Sequence, residues 1–208
     1  MADWFTRPLA ALFPSVRWFA VTGEVWLTFD DGPHPTATAA LLDVLRQEDV
    51  RATFFLLGER VERHPSVVRA IHDAGHVIGN HGYDHQPVWS MGGRELGESL
   101  CRTNDAVVAA KAPLPKLYRP TYGRFHPGTV RVARHAGLEM MMFGVNSWDF
   151  AGGETSVIVD RVTKRSVSGD ILLFHDNDAT NAFIATVVRD VIRHLRAEGL
   201  AFGTPERP

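Results

Sequence analysis

Val25-Trp26-Leu27-Thr28-Phe29-Asp30-Asp31-Gly32-Pro33 runs an apolar, β-rich stretch straight into two adjacent carboxylates and a Gly-Pro turn. Like charges at the end of a buried strand repel each other and resist desolvation. The pair is tolerable where a metal ion binds one acid and a cation or proton holds the other. A lone Asp-Asp-Gly would equally suit a helix N-cap followed by a turn, so the rest of the chain has to decide.

Outward from that stretch, short β-rich runs alternate with longer amphipathic ones. Residues 25–29 precede 36–47, 52–57 precede 66–74, and 77–79 precede 94–110. Farther on, 116–119 precede 129–136, 140–145 precede 155–166, and 171–174 precede 182–197, with a last short strand near 200–202. Gly75, Gly137 and Gly199 each follow an apolar stripe, as expected for the left-handed residue that closes a helix. Such repetition predicts an α/β fold on a parallel sheet. Asp30, Asp31, His81, Arg119, Asn146, Asp149, His175 and Asp176 all fall at or just beyond the C-terminal ends of the expected strands. Residues this far apart converge at one mouth if the sheet curls into a barrel, whose reactive face is that end. No G-x-G-x-x-G loop marks a nucleotide crevice.

With 208 residues, 45% of them hydrophobic, the chain can bury the core of one domain. Basic and acidic residues nearly balance, 22 against 24, without a run of either sign. Neither nucleic acid nor an anionic membrane is therefore expected as a partner. The single cysteine, Cys101, excludes an intrachain disulfide and a Cys-rich zinc site, and is expected as a small apolar residue within a helix. Pro14 and Arg17 interrupt the apolar stretch 9–21, which is too short to span a bilayer, and no export signal is evident. As written, the chain is expected to be soluble and cytoplasmic.

His81-Gly82-Tyr83-Asp84-His85 spaces two imidazoles at i and i+4, which would put both on one face of a single helical turn. Together with Asp31 they make a two-histidine, one-carboxylate set that leaves coordination positions open, the mark of a catalytic site. Iron-dependent oxygenases use the same ligand types, on an all-β scaffold with the acid close after the first histidine. Here Asp31 stands roughly 50 residues before His81, among alternating strands and helices.

From about Val25 to the C-terminus the chain resembles the NodB-type polysaccharide deacetylases, the fourth family of carbohydrate esterases. The family's T-F-D-D-G motif stands at Thr28 to Gly32, and its H-[ST]-x-x-H at His81 to His85. Its R-P-P-Y-G is Arg119-Pro120-Thr121-Tyr122-Gly123, its D-x-x-D-W is Asn146-Ser147-Trp148-Asp149-Phe150, and its L-x-H is Leu173-Phe174-His175. The resemblance implies a distorted (β/α) barrel of seven or eight parallel strands over residues 25–208. Segment 1–24 carries no motif and is expected to pack on the barrel. It implies a divalent ion, zinc by default with cobalt, nickel or manganese as alternatives, on Asp31, His81 and His85. It also implies Asp30 as the general base, oriented by Arg119, and His175 as the proton donor, its tautomer set by Asp149. The backbone N–H of Tyr122 would stabilise the oxyanion, and Trp148, Phe150 and Leu173 would contact substrate.

The implied substrate is an acetylated sugar or polysaccharide of chitin-oligomer or peptidoglycan type, losing acetyl from nitrogen. A small cyclic amide, an O-acetyl ester and a non-catalytic sugar-binding role are the alternatives. Several positions depart from the family pattern. Gly82 removes a hydroxyl that braces the ligand turn, so support must come from elsewhere. Thr121 in place of proline is expected to loosen the loop carrying Tyr122, and Asn146 and Phe150 alter the acid and the aromatic of their motif. Trp89, Phe125, Trp148 and Phe150 are all expected near the mouth.

Overall fold

The computed structural model describes residues 8, 10–20 and 23–205. Among these the strands are β1 (Val16–Arg17), β2 (Val25–Asp30), β3 (Thr53–Leu56), β4 (Val77–Asn80), β5 (Leu117–Tyr118), β6 (Glu139–Met141), β7 (Val145–Asn146), β8 (Ile171–His175) and β9 (Phe202–Gly203). Every pairing is parallel, in the order β1-β6-β5-β4-β3-β2-β8-β7, with β9 beside the start of β2. The sheet curls into the expected distorted barrel, open along the seam between β1 and β7, but with nine described strands where seven or eight were expected, because β1 is added and one expected strand divides.

The run expected as one strand over 140–145 is in fact two. β6 pairs with β5 and β1, whereas β7 pairs with β8. Arg119 lies at the break, donating from Nε to the Met141 carbonyl at 3.2 Å and from Nη2 to the Met142 carbonyl at 3.0 Å. Those acceptors, which could have continued a ladder, are thereby satisfied by a side chain. Strand β1 was not anticipated. It and the packing of Ala10, Phe13 and Phe19 against Trp18 and Met140 tie the described part of segment 1–24 to the barrel. The remainder of that segment lies outside the described residues.

Strand pleating sorts the residues of β2 into two sets. Val25, Leu27 and Phe29 join the outer core beneath the helices. Trp26 instead joins Phe55, Leu117, Met141 and Ile171 inside the barrel, and by the same alternation Thr28 and Asp30 stack above it toward the mouth. Gly79 of β4 makes room for this filling: a Cβ there would sit 2.4 Å from the Phe55 ring. The lumen is thus apolar at the bottom and charged at the top.

Helices α1 (Ala37–Gln47), α2 (Gly58–Arg63), α3 (Pro65–Asp73), α4 (Gly93–Ala109), α5 (Pro127–His135), α6 (Thr155–Thr163) and α7 (Ile184–Ala197) cover the outside. Apart from α2, which sequence periodicity did not reveal, they lie within a few residues of expectation. Gly75, Gly137 and Gly199 follow α3, α5 and α7 with φ of 84°, 73° and 84°. On α7 the residues Ile184, Val187, Val188, Val191, Ile192 and Leu195 form one fully buried stripe at helical spacing. Each such burial is worth about 1.5–3 kcal/mol, which holds α7 against the sheet. Cys101 lies in α4 as expected, but its side chain is exposed rather than packed. No helix among the described residues is long and apolar enough to cross a membrane.

Candidate metal centre and active site

Two consecutive strand residues would point to opposite faces. Asp31 escapes this by taking φ of 75°, in the left-handed region, so its carboxylate and that of Asp30 both face the mouth. Nε2 of His81 lies 3.7 Å from Asp30 Oδ2 and 3.5 Å from Asp31 Oδ1, while Nε2 of His85 lies 3.1 Å from the same Asp31 oxygen. One ligand atom from each of Asp31, His81 and His85 falls within 4.8 Å of the others.

The segment bearing the histidines is not the helical turn that i, i+4 spacing suggested. It is an irregular bend with φ of 84° at Gly82 and 58° at His85, and these left-handed residues bring both imidazoles round to Asp31. Support for the bend, expected to be missing at Gly82, comes from its neighbours. Asn80 Oδ1 accepts the Gly82 N–H at 2.8 Å and Ser99 Oγ accepts the Tyr83 N–H at 2.9 Å. Asn80 is itself held by donating to the Leu100 carbonyl and Asn104 Oδ1.

These residues fit a divalent ion. His81 Nδ1 lies 2.7 Å from the Arg119 carbonyl, which can only accept, so neutral His81 carries its proton there and turns a bare Nε2 lone pair toward Asp31. Asp31 Oδ1 is buried and makes no hydrogen bond. Burial opposes charge on His81, yet Asp30 and Asp31 beside it prevail and raise its pKa. Burial likewise opposes charge on Asp31, but His81 and His85 hold its pKa well below the usual carboxylate range. The pocket favours positive charge beside Asp31, which a metal cation also supplies.

Arg119 is the buried pivot of the site. Its Nη1 donates to Thr28 Oγ1 at 2.7 Å and to Asp30 Oδ1 at 2.8 Å, and its guanidinium carbon lies 4.2 Å from the centre of the Phe55 ring. Desolvation lowers its pKa, against the opposing pull of Asp30. With Oδ1 of Asp30 committed to Arg119, Oδ2 is the oxygen left facing the histidines.

On the far side His175 ends β8, level with Asp30 in the parallel register. The buried carboxylate of Asp149 grips it twice, Oδ1 lying 2.7 Å from its Nδ1 and Oδ2 accepting its backbone N–H at 2.8 Å. Burial works to lower the His175 pKa, but the hydrogen bond and charge of Asp149 outweigh it and push the value up to about 9.

Aromatic rings flank the centre. Tyr122 sets its ring edge-to-face with His85 at 4.6 Å and beside Trp89 at 5.5 Å. Opposite, Phe150 lies 5.3 Å from both Trp148 and His175. Tyr122, Trp89, Trp148 and Phe150 are exposed, as a ring-stacking rim requires. Leu173 is buried one layer below His175. Phe125 is not at the mouth: it packs with Phe13 and Trp18 in an outer cluster.

Nor is the Tyr122 loop loosened by Thr121, which is buried and donates to the Gln86 carbonyl at 2.7 Å, binding the loop to the chain just after His85. Asp176, expected at the mouth, is buried beneath the Asp-Asp-Gly loop. Its Oδ2 accepts from Thr38 Oγ1 at 2.5 Å, and burial pushes its pKa up to about 8. Sequence reasoning missed Thr28 and Asn80 as supports, and missed Asn177, whose Nδ2 donates to Asp31 Oδ2 at 2.9 Å. Thr28 lies inside a recognised motif two residues before Asp30, a spacing that in a strand already signals a shared face.

The family model described as polysaccharide deacetylase matches residues 21–141. Two peptidoglycan-N-acetylglucosamine deacetylases of Bacillus cereus are similar to the chain. One is 33% identical over 87% of this chain and 66% of its own length; the other is 32% identical over 91% and 90%. Among solved structures, a family 4 carbohydrate esterase from Streptomyces lividans in complex with acetate aligns with a TM-score of 0.81 at 34% identity. It covers 89% of this chain and 94% of that one.

Proposed function

Because the chain belongs to the polysaccharide deacetylase family, we propose that it hydrolyses the acetamide of an N-acetylated amino sugar in a glycan of chitin-oligomer or peptidoglycan type. The observation that carries this reading is the arrangement at the mouth: Asp31 faces the Nε2 atoms of His81 and His85, Asp30 is held by Arg119 on one flank, and His175 is held by Asp149 on the other. Residues 25–208 would correspond to the deacetylase domain, on which the described part of 1–24 packs.

Asp31 Oδ1 and the Nε2 atoms of His81 and His85 would hold the ion, zinc by ligand type. When bound, it supplies Lewis-acid polarisation of the acetyl carbonyl and lowers the pKa of water in its open positions. Asp30 takes the proton of the attacking water through Oδ2, while Arg119 keeps Oδ1 fixed. The Tyr122 backbone N–H would donate to the developing oxyanion. An amide nitrogen leaves only as the amine, so it must gain a proton as the C–N bond breaks. His175 gives that proton from Nε2, because its Nδ1–H is held by Asp149, and at neutral pH its raised pKa keeps it charged and ready. Amide and water become amine and acetate, and proton exchange with solvent resets both groups. Trp148, Phe150, Trp89 and Tyr122 offer faces for sugar rings, and Leu173 closes the floor beneath the acetyl group.

Incubating metal-loaded protein with chitin oligomers, peptidoglycan fragments, acetylated xylan and cyclic amides tests the reading. Acetate and new amine should appear in equal amounts from the amino-sugar polymers. Acetate without amine would make the protein an O-esterase. Ring opening of an imide with no acetate from any glycan would overturn the deacetylase assignment.

A further inference from the structure

The turn after β8 is fastened to the loop after β2 and the start of α1 by four side chains. Asp176 accepts from Thr38, Asn177 donates to Asp31, Asp178 Oδ1 lies 3.1 Å from His34 Nε2, and Asn181 Oδ1 accepts from Thr36 Oγ1 at 2.7 Å. Of these residues only Asn177 reaches a residue assigned to the metal. Its amide orientation is settled by chemistry. The Asn177 atom 3.0 Å from the Ala179 N–H must be the acceptor Oδ1, so the atom 2.9 Å from Asp31 Oδ2 is the donor Nδ2. Asp31 therefore has one oxygen clamped by an amide and the other, Oδ1, buried without a hydrogen bond and facing the histidines.

From this geometry we infer that Asn177 is a positioning residue of the metal centre, which holds Asp31 as a one-oxygen ligand by engaging its second oxygen. The inference rests on the reading of Asp31, His81 and His85 as the ligands. A free carboxylate rotates about its terminal bond and can offer both oxygens to an ion. The Asn177 donor removes that freedom, so the coordination position that Oδ2 would have taken stays open for water or substrate. Being neutral, the amide orients Asp31 without competing with the cation as a second positive charge would. The clamp also couples the two halves of the site. Thr180 Oγ1 donates to the His175 carbonyl at 2.7 Å and lies 3.3 Å from the Asn177 N–H, so the proton donor and the support of Asp31 share one braced turn.

Two variants separate the donor from the turn. Asn177→Leu removes both contacts at similar volume. Asn177→Ser keeps a hydroxyl acceptor for the Ala179 N–H but stops short of Asp31. Zinc affinity is read by competition with a chromophoric chelator, and ligand number by the visible absorption of the cobalt(II)-substituted protein. Both variants are expected to bind zinc about 10- to 100-fold more weakly than the parent. Both should show a weaker cobalt band, as the released Oδ2 joins the coordination sphere. If Asn177→Ser matched the parent in affinity and spectrum, the donor would be idle and the inference wrong, whatever Asn177→Leu did. The serine variant decides even if the leucine variant misfolds. A parent protein that bound no ion would instead sink the ligand assignment on which the inference stands.

Discussion

Replacing Asp149 by asparagine should move the alkaline limit of the reaction, because this buried carboxylate is what keeps His175 protonated. His175 stands at about 9 against an ordinary 6.5. A gap of that size corresponds to roughly 3 kcal/mol of preference for the imidazolium in the folded protein. The folded pKa is the raised one, so this stabilisation is complete below about pH 6.5 and is lost as pH climbs through about 9. Asp149→Asn preserves shape but removes the negative charge, leaving burial to pull the His175 pKa down toward 6.5 against the weaker pull of Asp31 and Asp30. At pH 8 the protonated fraction would fall from about nine in ten to about 3%, roughly a 30-fold loss of the acid form.

Four measurements on metal-saturated protein check this. The pH–rate profile on an acetylated amino-sugar oligomer should lose its alkaline shoulder. The His175 ring signals in NMR should titrate lower in the variant. The stability gap between parent and variant should narrow between pH 6.5 and 9. On an acetate ester whose leaving group needs no proton, the variant should recover most of its rate. An alkaline limb that stayed near pH 9 in Asp149→Asn would refute the reasoning.

Arg119→Met should destabilise the protein by about 3–5 kcal/mol in urea unfolding, since it strands a buried Asp30 carboxylate; a loss below about 1 kcal/mol would mean that Asp30 finds another partner. Asp30→Asn and His175→Ala should each retain one ion per chain by elemental analysis while losing about 10²- to 10⁴-fold in turnover. His81→Ala and His85→Ala should lose the ion as well, and stoichiometric metal surviving in both would exclude the site. Thr121→Val, which leaves the Gln86 carbonyl without its donor, should cost about 1 kcal/mol in thermal unfolding. An unchanged melting temperature would show that the loop does not depend on that hydroxyl.

The motifs told their chemistry in one dimension because the reaction demands residue types that have few other reasons to coincide. Doubled acids at a strand end, spaced histidines and a late histidine in the right order allow little else. The alternation of short β-rich and longer amphipathic runs gave the parallel sheet, since a strand hides alternate residues and a helix hides a stripe. Three-dimensional packing decided what depends on partners distant in sequence. The histidine pair spans a bend rather than a helical turn, because the neighbours that hold it, Asn80 and Ser99, satisfy its backbone in place of helical hydrogen bonds. One expected strand divides because a buried guanidinium takes the carbonyls at its break. Asp176 and Asn177, alike as polar residues after a strand, part ways by a single position: one is buried beneath the loop and the other reaches Asp31. Local sequence specifies which groups a residue offers; only the folded chain, by burying some and leaving others one hydrogen bond apart, specifies which of those groups meet.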